Sequence, residues 1–558
     1  MRKLIACIFL MFVAVACASS LEVTSTPTPA LTLVPANTSA PTSTVLPSPS
    51  PTMTSLPTAT FTPTLTLTPR VVRSIDLVAF QSSRNGTWFS TSIDTLPQNQ
   101  QNATATFDIT TSALSNRRDG KIASTLLAGY VFLQWGDVSP ASFDQFTGTI
   151  GALFIRSAGL SFVDYPNNRV LLWDRKSVNI PMDIRGMIRV CNQHQIPVFL
   201  EINYSDYVPG LLGTGVEALQ PADNIAGTIT YLKALQAEGL HVEGVTFGDE
   251  IQDDSGYGNR QPTIYNSDLI SRFIDYASAL KSEFPDLKVY AFDSYIRATR
   301  GEISAYWDLF QKIRQAEVSE NKNLLDGFTF RESYTYINGQ GQVLDSQRIL
   351  DDTESLYRDA PVYRYDVRGT THADPDRDYL HQIISHTSAI FSRTLDILIS
   401  EYLPAGPIQI SETDTSRYAD MDFILHYSDI VGIYADLGLD GVSTIMFGDS
   451  LNMHKAYFDR QGNKGVNYPI HEQLAKYFTG EILNIDRSTD YDSLKVKVYA
   501  ARRENETFVM ILNKDVSNEH TVQVRLPGKF DLTIRLPRRS YTSIFLDDKS
   551  VTVSGIGN

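Results

Sequence analysis

Only three cysteines occur in 558 residues, and Cys7 and Cys17 both fall within the first twenty. A disulfide framework is therefore excluded, and without any CxxC pair so is a zinc ribbon. Cys191, the one thiol of the body, sits in DIRGMIRVCNQHQIPVFLEI at a helix-like position among apolar residues and reads as a buried structural thiol. No glycine-rich phosphate loop joins a strand to a helix, which argues against a nucleotide-binding sheet. No glycine-flanked serine announces a Ser-His-Asp site. Positive charge is also in deficit, with 48 Lys and Arg against 63 Asp and Glu and a net charge of -15. With no basic patch to offset it, that balance excludes nucleic acid as a partner and favours a neutral or weakly charged substrate.

What is present begins with MRKLIACIFLMFVAVACASS, in which Arg2 and Lys3 precede an apolar run that closes on small residues. The run is too short to span a bilayer comfortably and reads as an export signal. Its closing letters, Ala14-Val15-Ala16-Cys17, resemble a bacterial lipobox. Residues 1–16 would then be a lipoprotein signal peptide, with Cys17 lipidated and holding the chain on the membrane at the cell surface; plain secretion is the alternative. Residues 17–70 read as a linker. Between 22 and 70 there are 15 Thr, 10 Pro and 6 Ser, and only Glu22 and Arg70 are charged. Such a composition cannot build a core, and its prolines favour extended chain. At about 3.1 Å per residue it reaches on the order of 150 Å.

From residue 71 the texture is that of folded protein. Short apolar strands alternate with helical patterns: ALFIRSAG, IPVFLEINYSD, VEGVTFGDE, LKVYAFDS, LLDGFTFRESY, GPIQISETDTS and GVSTIMFGDS. Strands alternating with amphipathic helices imply a parallel sheet with helical crossovers, and their number fits an α/β fold of the (β/α)8 TIM-barrel kind over residues 71–480. IDLVAF (75–80) and LLAGYVFLQWGDV (126–138) compete for the first barrel strand. The pattern predicts one long helix over DYLHQIISHTSAIFSRTLDILISEYL and the seventh strand after it, at 406–416. Beyond Tyr477, SLKVKVYAARRENETFVMILNKD, VQVRLPGKF, LTIRLP and SYTSIFL alternate apolar and polar letters. They predict a C-terminal antiparallel β-sandwich domain over 481–558, to which residues 71–125 can add strands.

In a (β/α) barrel the reactive groups project from the C-terminal strand ends. Those ends carry Arg156, Asn203 to Asp206, Asp249 and Glu250, Asp293, Arg331, Glu332 and Tyr334, Glu412 and Asp414, and Asp449. A purely solvated rim has no need of an arginine and a string of acids at these points. Two carboxylates across such a rim suit glycoside hydrolysis, one donating a proton to the leaving oxygen and the other attacking the anomeric carbon. His372, Asp374 and Asp376 in THADPDRD read as a solvated turn, so no metal and no cofactor is expected.

The order of ALFIRSAG, IPVFLEINYSD, VTFGDE and QISETD, followed by a sandwich containing VMILNKD, resembles the retaining glycoside hydrolases of clan A. Families 51, 44 and 39, which join the barrel to a C-terminal sandwich, are the nearest in pattern. The resemblance covers most of residues 126–546 and implies that Glu250 is the acid/base and Glu412 the nucleophile. It further implies that Arg156 supports the nucleophile's charge and that Tyr334 donates a hydrogen bond to it. Two positions depart from the clan. Asp249 stands where asparagine usually binds the sugar 2-hydroxyl, and Phe447-Gly448-Asp449 stands where a stacking tryptophan is usual. Trp135, Trp173 and Tyr204 are the stacking candidates, and Asn203 joins the expected sugar-binding set. The expected activity is a retaining endo-β-glycanase acting on plant or microbial polysaccharide. The alternatives are an exo-acting α-L-arabinofuranosidase or β-xylosidase, and a non-catalytic carbohydrate-binding lipoprotein.

Overall fold

The computed structural model describes residues 72–79, 89–98, 102–114, 126–132, 140–156, 162–164, 169–171, 177–179, 184–202, 225–247, 267–295, 300–335, 347, 350–351, 353, 362–365, 371–374, 386–405, 417–445, 447–448, 457–459, 462–465, 468–478, 480–489, 491–547 and 550–557. Cys17, the signal segment and the linker up to residue 70 lie outside them. Among the described residues no helix is long and apolar enough to cross a membrane.

Eight parallel strands close into a barrel. In chain order they are Leu126–Phe132, Ala152–Arg156, Val198–Ile202, Gly244–Phe247, Lys288–Tyr295, Gly327–Thr335, Asp396–Ala405 and Gly441–Ile445. The first strand is therefore the 126–132 segment. Its rival at the N-terminal side, Arg73–Asp76, pairs instead with Phe530–Leu536. That strand, Phe89–Ser92 and Ala105–Ala113 belong to a mostly antiparallel ten-stranded sheet, so residues 73–113 complete the sandwich rather than the barrel. Ile75, Phe107 and Ile109 are buried there among Val498, Val509, Val524 and Ile534.

The seventh strand corrects the expected helix over 378–403. The helical stretch ends at Phe391, and Ser392 adopts a left-handed φ of 52° while its N–H donates to the Ser388 carbonyl. That terminating geometry releases DILISEYLPA as the strand. A continuous apolar run fits a buried helix or a buried parallel strand equally well by periodicity, which is why the sequence pattern pointed past it.

Inside the barrel, two glycines make room for large inward residues on the strands beside them. Phe199 lies beside Gly244, and Tyr290 beside Gly327. A Cβ on Gly327 would stand 2.5 Å from the Asp396 carbonyl and 2.6 Å from the Tyr290 ring, so only glycine admits this contact. Acids just ahead of even strands serve the odd strands next to them: Asp326 accepts from the Val289 N–H and Asp440 from the Ile397 N–H, each at 2.7 Å. Outside, helices bury one face against the strands. Ile184, Met187, Ile188 and Cys191 are the buried residues of Ile184–Gln193, the spacing of an amphipathic helix. Burial pushes the Cys191 thiol up to about 12, as suits a structural cysteine.

The helix Arg417–Leu437 is buried nearly all round because the sandwich covers the side the barrel leaves open. A Cβ on Gly432 would meet the Tyr499 ring of the sandwich at 2.6 Å. Beside it Asp429 takes hydrogen bonds from Tyr499 Oη at 2.6 Å, from Thr353 and from Lys514, and the ion pair with Lys514 is fully buried. Burial opposes ionisation of Asp429, but Lys514, Lys497 and these hydrogen bonds outweigh it and hold the carboxyl down at about 2. Desolvation has the opposite consequence for the bases nearby: His426 and His471 are both lowered to about 3 and stay neutral.

Two outcomes follow for stability. Replacing Lys514 by Met leaves Asp429 buried without its cation and should cost about 3–5 kcal/mol in urea unfolding, whereas K514M combined with D429L should recover much of the loss. Between about pH 6.5 and 3 the unfolded chain protonates His426 and His471 while the folded chain does not, so stability falls as the pH drops through that window. Below about pH 4 the contribution of Asp429 is lost as well, as its folded value near 2 is approached. Urea midpoints that stay constant from pH 7 to pH 4 would contradict the histidine assignment.

Candidate functional site

The inner face of the barrel is aromatic at one level and charged at the next. In Ala152–Arg156, Leu153 and Ile155 turn outward into the core beneath the helices, as do Val198, Leu200 and Ile202 of the third strand. The alternation leaves Phe154 and Arg156, and Phe199 and Glu201, facing inward. Phe154 and Phe199 are paired in register and stack with centroids 5.0 Å apart. The Phe199 ring also meets Tyr290 edge-on at 5.2 Å, and Tyr290 Oη donates to Asp396 Oδ2 at 2.7 Å. Burial and the charges of Asp396, Asp440 and Asp326 push the Tyr290 phenol well up, so it remains a donor.

One step nearer the C-terminal end, Arg156 Nε lies 3.7 Å from Glu201 Oε2. Arg156 is 2% exposed and Glu201 5%, so this is a buried ion pair at the C-terminal end of the barrel. Thr246 of the fourth strand, also buried, stands in register with Glu201. Arg156 thus ends the second strand, the position expected for it. Glu201 was overlooked by the pattern reading, although an acid inside the apolar run VFLEI was itself a signal.

The other expected residues divide by what the structure describes. The fourth barrel strand ends at Phe247, and Asp249 and Glu250 follow it just outside the described residues. Asn203, Trp135, Trp173 and Glu412 also lie outside them, as do Tyr204 and Asp449. Tyr334 belongs to the sixth strand, where its backbone pairs with Pro404. The seventh strand is decisive for the carboxylate pattern. It ends at Ala405, seven residues before Glu412, and it carries Glu401. Phe330 pairs with Ile399 but Arg331 with Glu401, so Ser400 is an extra residue in the seventh strand. This shift brings Glu401 into register with Arg331, which Ser400 would otherwise meet. ISEY within a β-branched run was the legible signal for it, obscured by the helical pattern upstream.

Between the second strand and the next helix lies a small antiparallel sheet of Phe162–Asp164, Arg169–Leu171 and Ser177–Asn179. A hairpin of Val362–Tyr365 and Thr371–Asp374 follows the sixth strand. Both insertions rise from C-terminal strand ends, and strands two and six are opposite one another in an eight-membered ring.

No family profile matches the chain, and no curated protein resembles it in sequence. Solved structures do share its fold. A family 44 endoglucanase from Clostridium thermocellum superposes with a TM-score of 0.54 at 13% identity, covering 81% of this chain and 100% of the other. A family 44 xyloglucanase from Paenibacillus polymyxa, solved with xyloglucan, gives 0.52 at 11% identity over 81% and 99%. An α-L-arabinofuranosidase from Thermotoga maritima, solved with arabinose, gives 0.50 at 9% identity over 82% and 100%. The chain therefore shares the barrel-plus-sandwich fold of these three enzymes.

The aromatic layer supports the charged one above it. Phe199→Ala should lower unfolding stability by about 3–5 kcal/mol through the cavity it opens between Phe154 and Tyr290. A loss below 1 kcal/mol in urea titration would mean that the layer is not packed as described.

Proposed function

We propose that the chain is a retaining glycoside hydrolase acting on a β-linked plant or microbial polysaccharide, with endo-glucanase chemistry as the leading activity. The single observation that carries the reading is the strand order: carboxylates follow the fourth strand and lie on the seventh of a parallel barrel whose mouth holds a buried arginine. Glu250, three residues past Phe247, is the acid/base. It protonates the leaving oxygen and then takes a proton from water. The nucleophile is the carboxylate of the seventh strand, which attacks the anomeric carbon to form a glycosyl-enzyme.

The strand boundaries favour Glu401 for that role over Glu412, the residue first expected there. Arg156 supplies positive charge to the nucleophile. Asp249 accepts a hydrogen bond from a sugar hydroxyl and, by like charge, raises the pKa of Glu250, which helps keep an acid catalyst protonated. Tyr334, Asn203 and the tryptophans Trp135 and Trp173 complete the sugar-binding set.

An endo-β-glycanase fits the glucan-active enzymes of similar fold, an endoglucanase and a xyloglucanase. The exo-acting α-L-arabinofuranosidase alternative is kept open by the arabinose complex of similar fold. Residues 1–16 act as the export signal, Cys17 carries the lipid, and the Thr/Pro-rich segment to residue 70 holds the enzyme away from the membrane.

The test is turnover on a panel of β-glucans, xyloglucan, xylan, arabinan and aryl glycosides. Glu401→Gln should reduce kcat/KM on the order of a thousandfold or more, with Glu412→Gln far milder. Azide should rescue Glu401→Gly as a glycosyl azide of inverted configuration. Collapse in E412Q alone would return the nucleophile to Glu412. Glu250→Ala should slow substrates with poor leaving groups by about 100-fold or more while sparing activated aryl glycosides. Glycan binding without any turnover would identify a carbohydrate-binding protein and remove the enzyme reading.

A further inference from the structure

We propose that Glu201 is a positioning residue of this active site: through its buried contact with Arg156 it fixes the guanidinium at the barrel mouth and offsets part of its charge toward the nucleophile. This role rests on the glycosidase reading above.

The geometry confines the pair on several sides. Arg156 closes the second strand, and Glu201 stands on the adjacent third strand with 3.7 Å between Nε and Oε2. Beneath them the stacked Phe154 and Phe199 rings present an apolar floor. Thr246 stands beside Glu201 on the fourth strand, and none of these three neighbours titrates. The aromatic level closes the barrel side of the pair.

A purely structural role is a poor account of the pair. Burying two opposite charges commonly stabilises no more than apolar residues of the same volume, because desolvation offsets the Coulombic gain. The level below is filled by aromatic rings, and the outward positions of both strands by aliphatic residues. The same chemistry would have filled the next level. Charges at the mouth instead serve the reaction there. An unopposed arginine lowers the pKa of a nearby carboxylate, which keeps it ionised but also less nucleophilic. A glutamate beside that arginine moderates the field and, by pinning one edge of the guanidinium, directs the rest of it.

Glu201→Gln keeps the shape and removes the charge. Losing a negative charge near the nucleophile should lower its apparent pKa. The acidic limb of kcat/KM, which reports the free enzyme, should move down accordingly. On the best aryl glycoside of the panel, kcat should fall about tenfold or more while KM changes less than threefold, the pattern of an interaction lost mainly in the transition state. Glu201→Asp keeps the charge but shortens the reach; its limb should stay at the wild-type position while kcat still falls. It also serves as the deciding variant if E201Q fails to fold by circular dichroism. An active wild type whose E201Q variant keeps both kcat and the limb, or loses activity only in proportion to its folded fraction, overturns the role alone. If E201Q does not fold, a wild-type kcat in E201D overturns it. A wild type inert on the whole panel overturns the glycosidase reading, and this role with it.

Discussion

A ring of eight parallel strands closes only if the side chains turned inward fill it, and that constraint organises this protein. Where two large inner residues would collide, a glycine stands beside one of them. Gly327 gives way to Tyr290 and to the backbone of Asp396, and Gly244 stands beside Phe199. Phe154 and Phe199 fill one level, and the next level lies at the C-terminal ends of their strands. Arg156 and Glu201 occupy that level. The packing that closes the barrel thus also presents a charged pair, held at low exposure, where a site can use it.

The sandwich meets the barrel along one buried helix. The helix Arg417–Leu437 follows the seventh strand and is enclosed from both sides, with Gly432 against Tyr499 and Asp429 among Lys514, Thr353 and Tyr499. A buried ion pair adds little net stability over an apolar contact, but loss of either partner is costly, so the pair specifies the docking more than it strengthens it. An N-terminal segment running up to Ala113 also crosses to the sandwich before the chain enters the barrel at Leu126. Both ends of the folded body are therefore tied into one sheet.

Much of this was legible in the sequence, for identifiable reasons. VEGVTF and LLDGFTF could be read as parallel strands because short apolar runs were bounded by an acid and glycine on one side and polar residues on the other. Ile184, Met187, Ile188 and Cys191 marked a helix by their spacing alone. DILISEYLPA could not be separated from the helical pattern before it, because the stop is a left-handed serine rather than a glycine or proline. Glu201 was hidden differently: its strand reads as continuous core, and only the inward alternation, fixed by pairing Phe154 with Phe199, distinguishes its side from that of Leu200. Asp249, Glu250 and Glu412 lie outside the described residues, so their roles still rest on strand order and chemistry.

The seventh strand matters most for that chemistry because its register is irregular. Had Ser400 remained in step, Arg331 would face a serine and the glutamate would fall into the alternate series. The extra residue moves Glu401 into the series to which Thr329 and Arg331 belong on the neighbouring strand. Bulges of this kind disrupt the ladder locally, and they are over-represented beside active sites because they re-aim a side chain without moving the strand. A core strand with no chemical task has no use for such a shift, since the alternation Asp396, Leu398 already satisfies the inner face. The irregularity and the acid coincide within two residues, at the end of the barrel where the Arg156–Glu201 pair is also found. The proposed assignment of the nucleophile to Glu401, on the strand and not beyond it, rests on that coincidence.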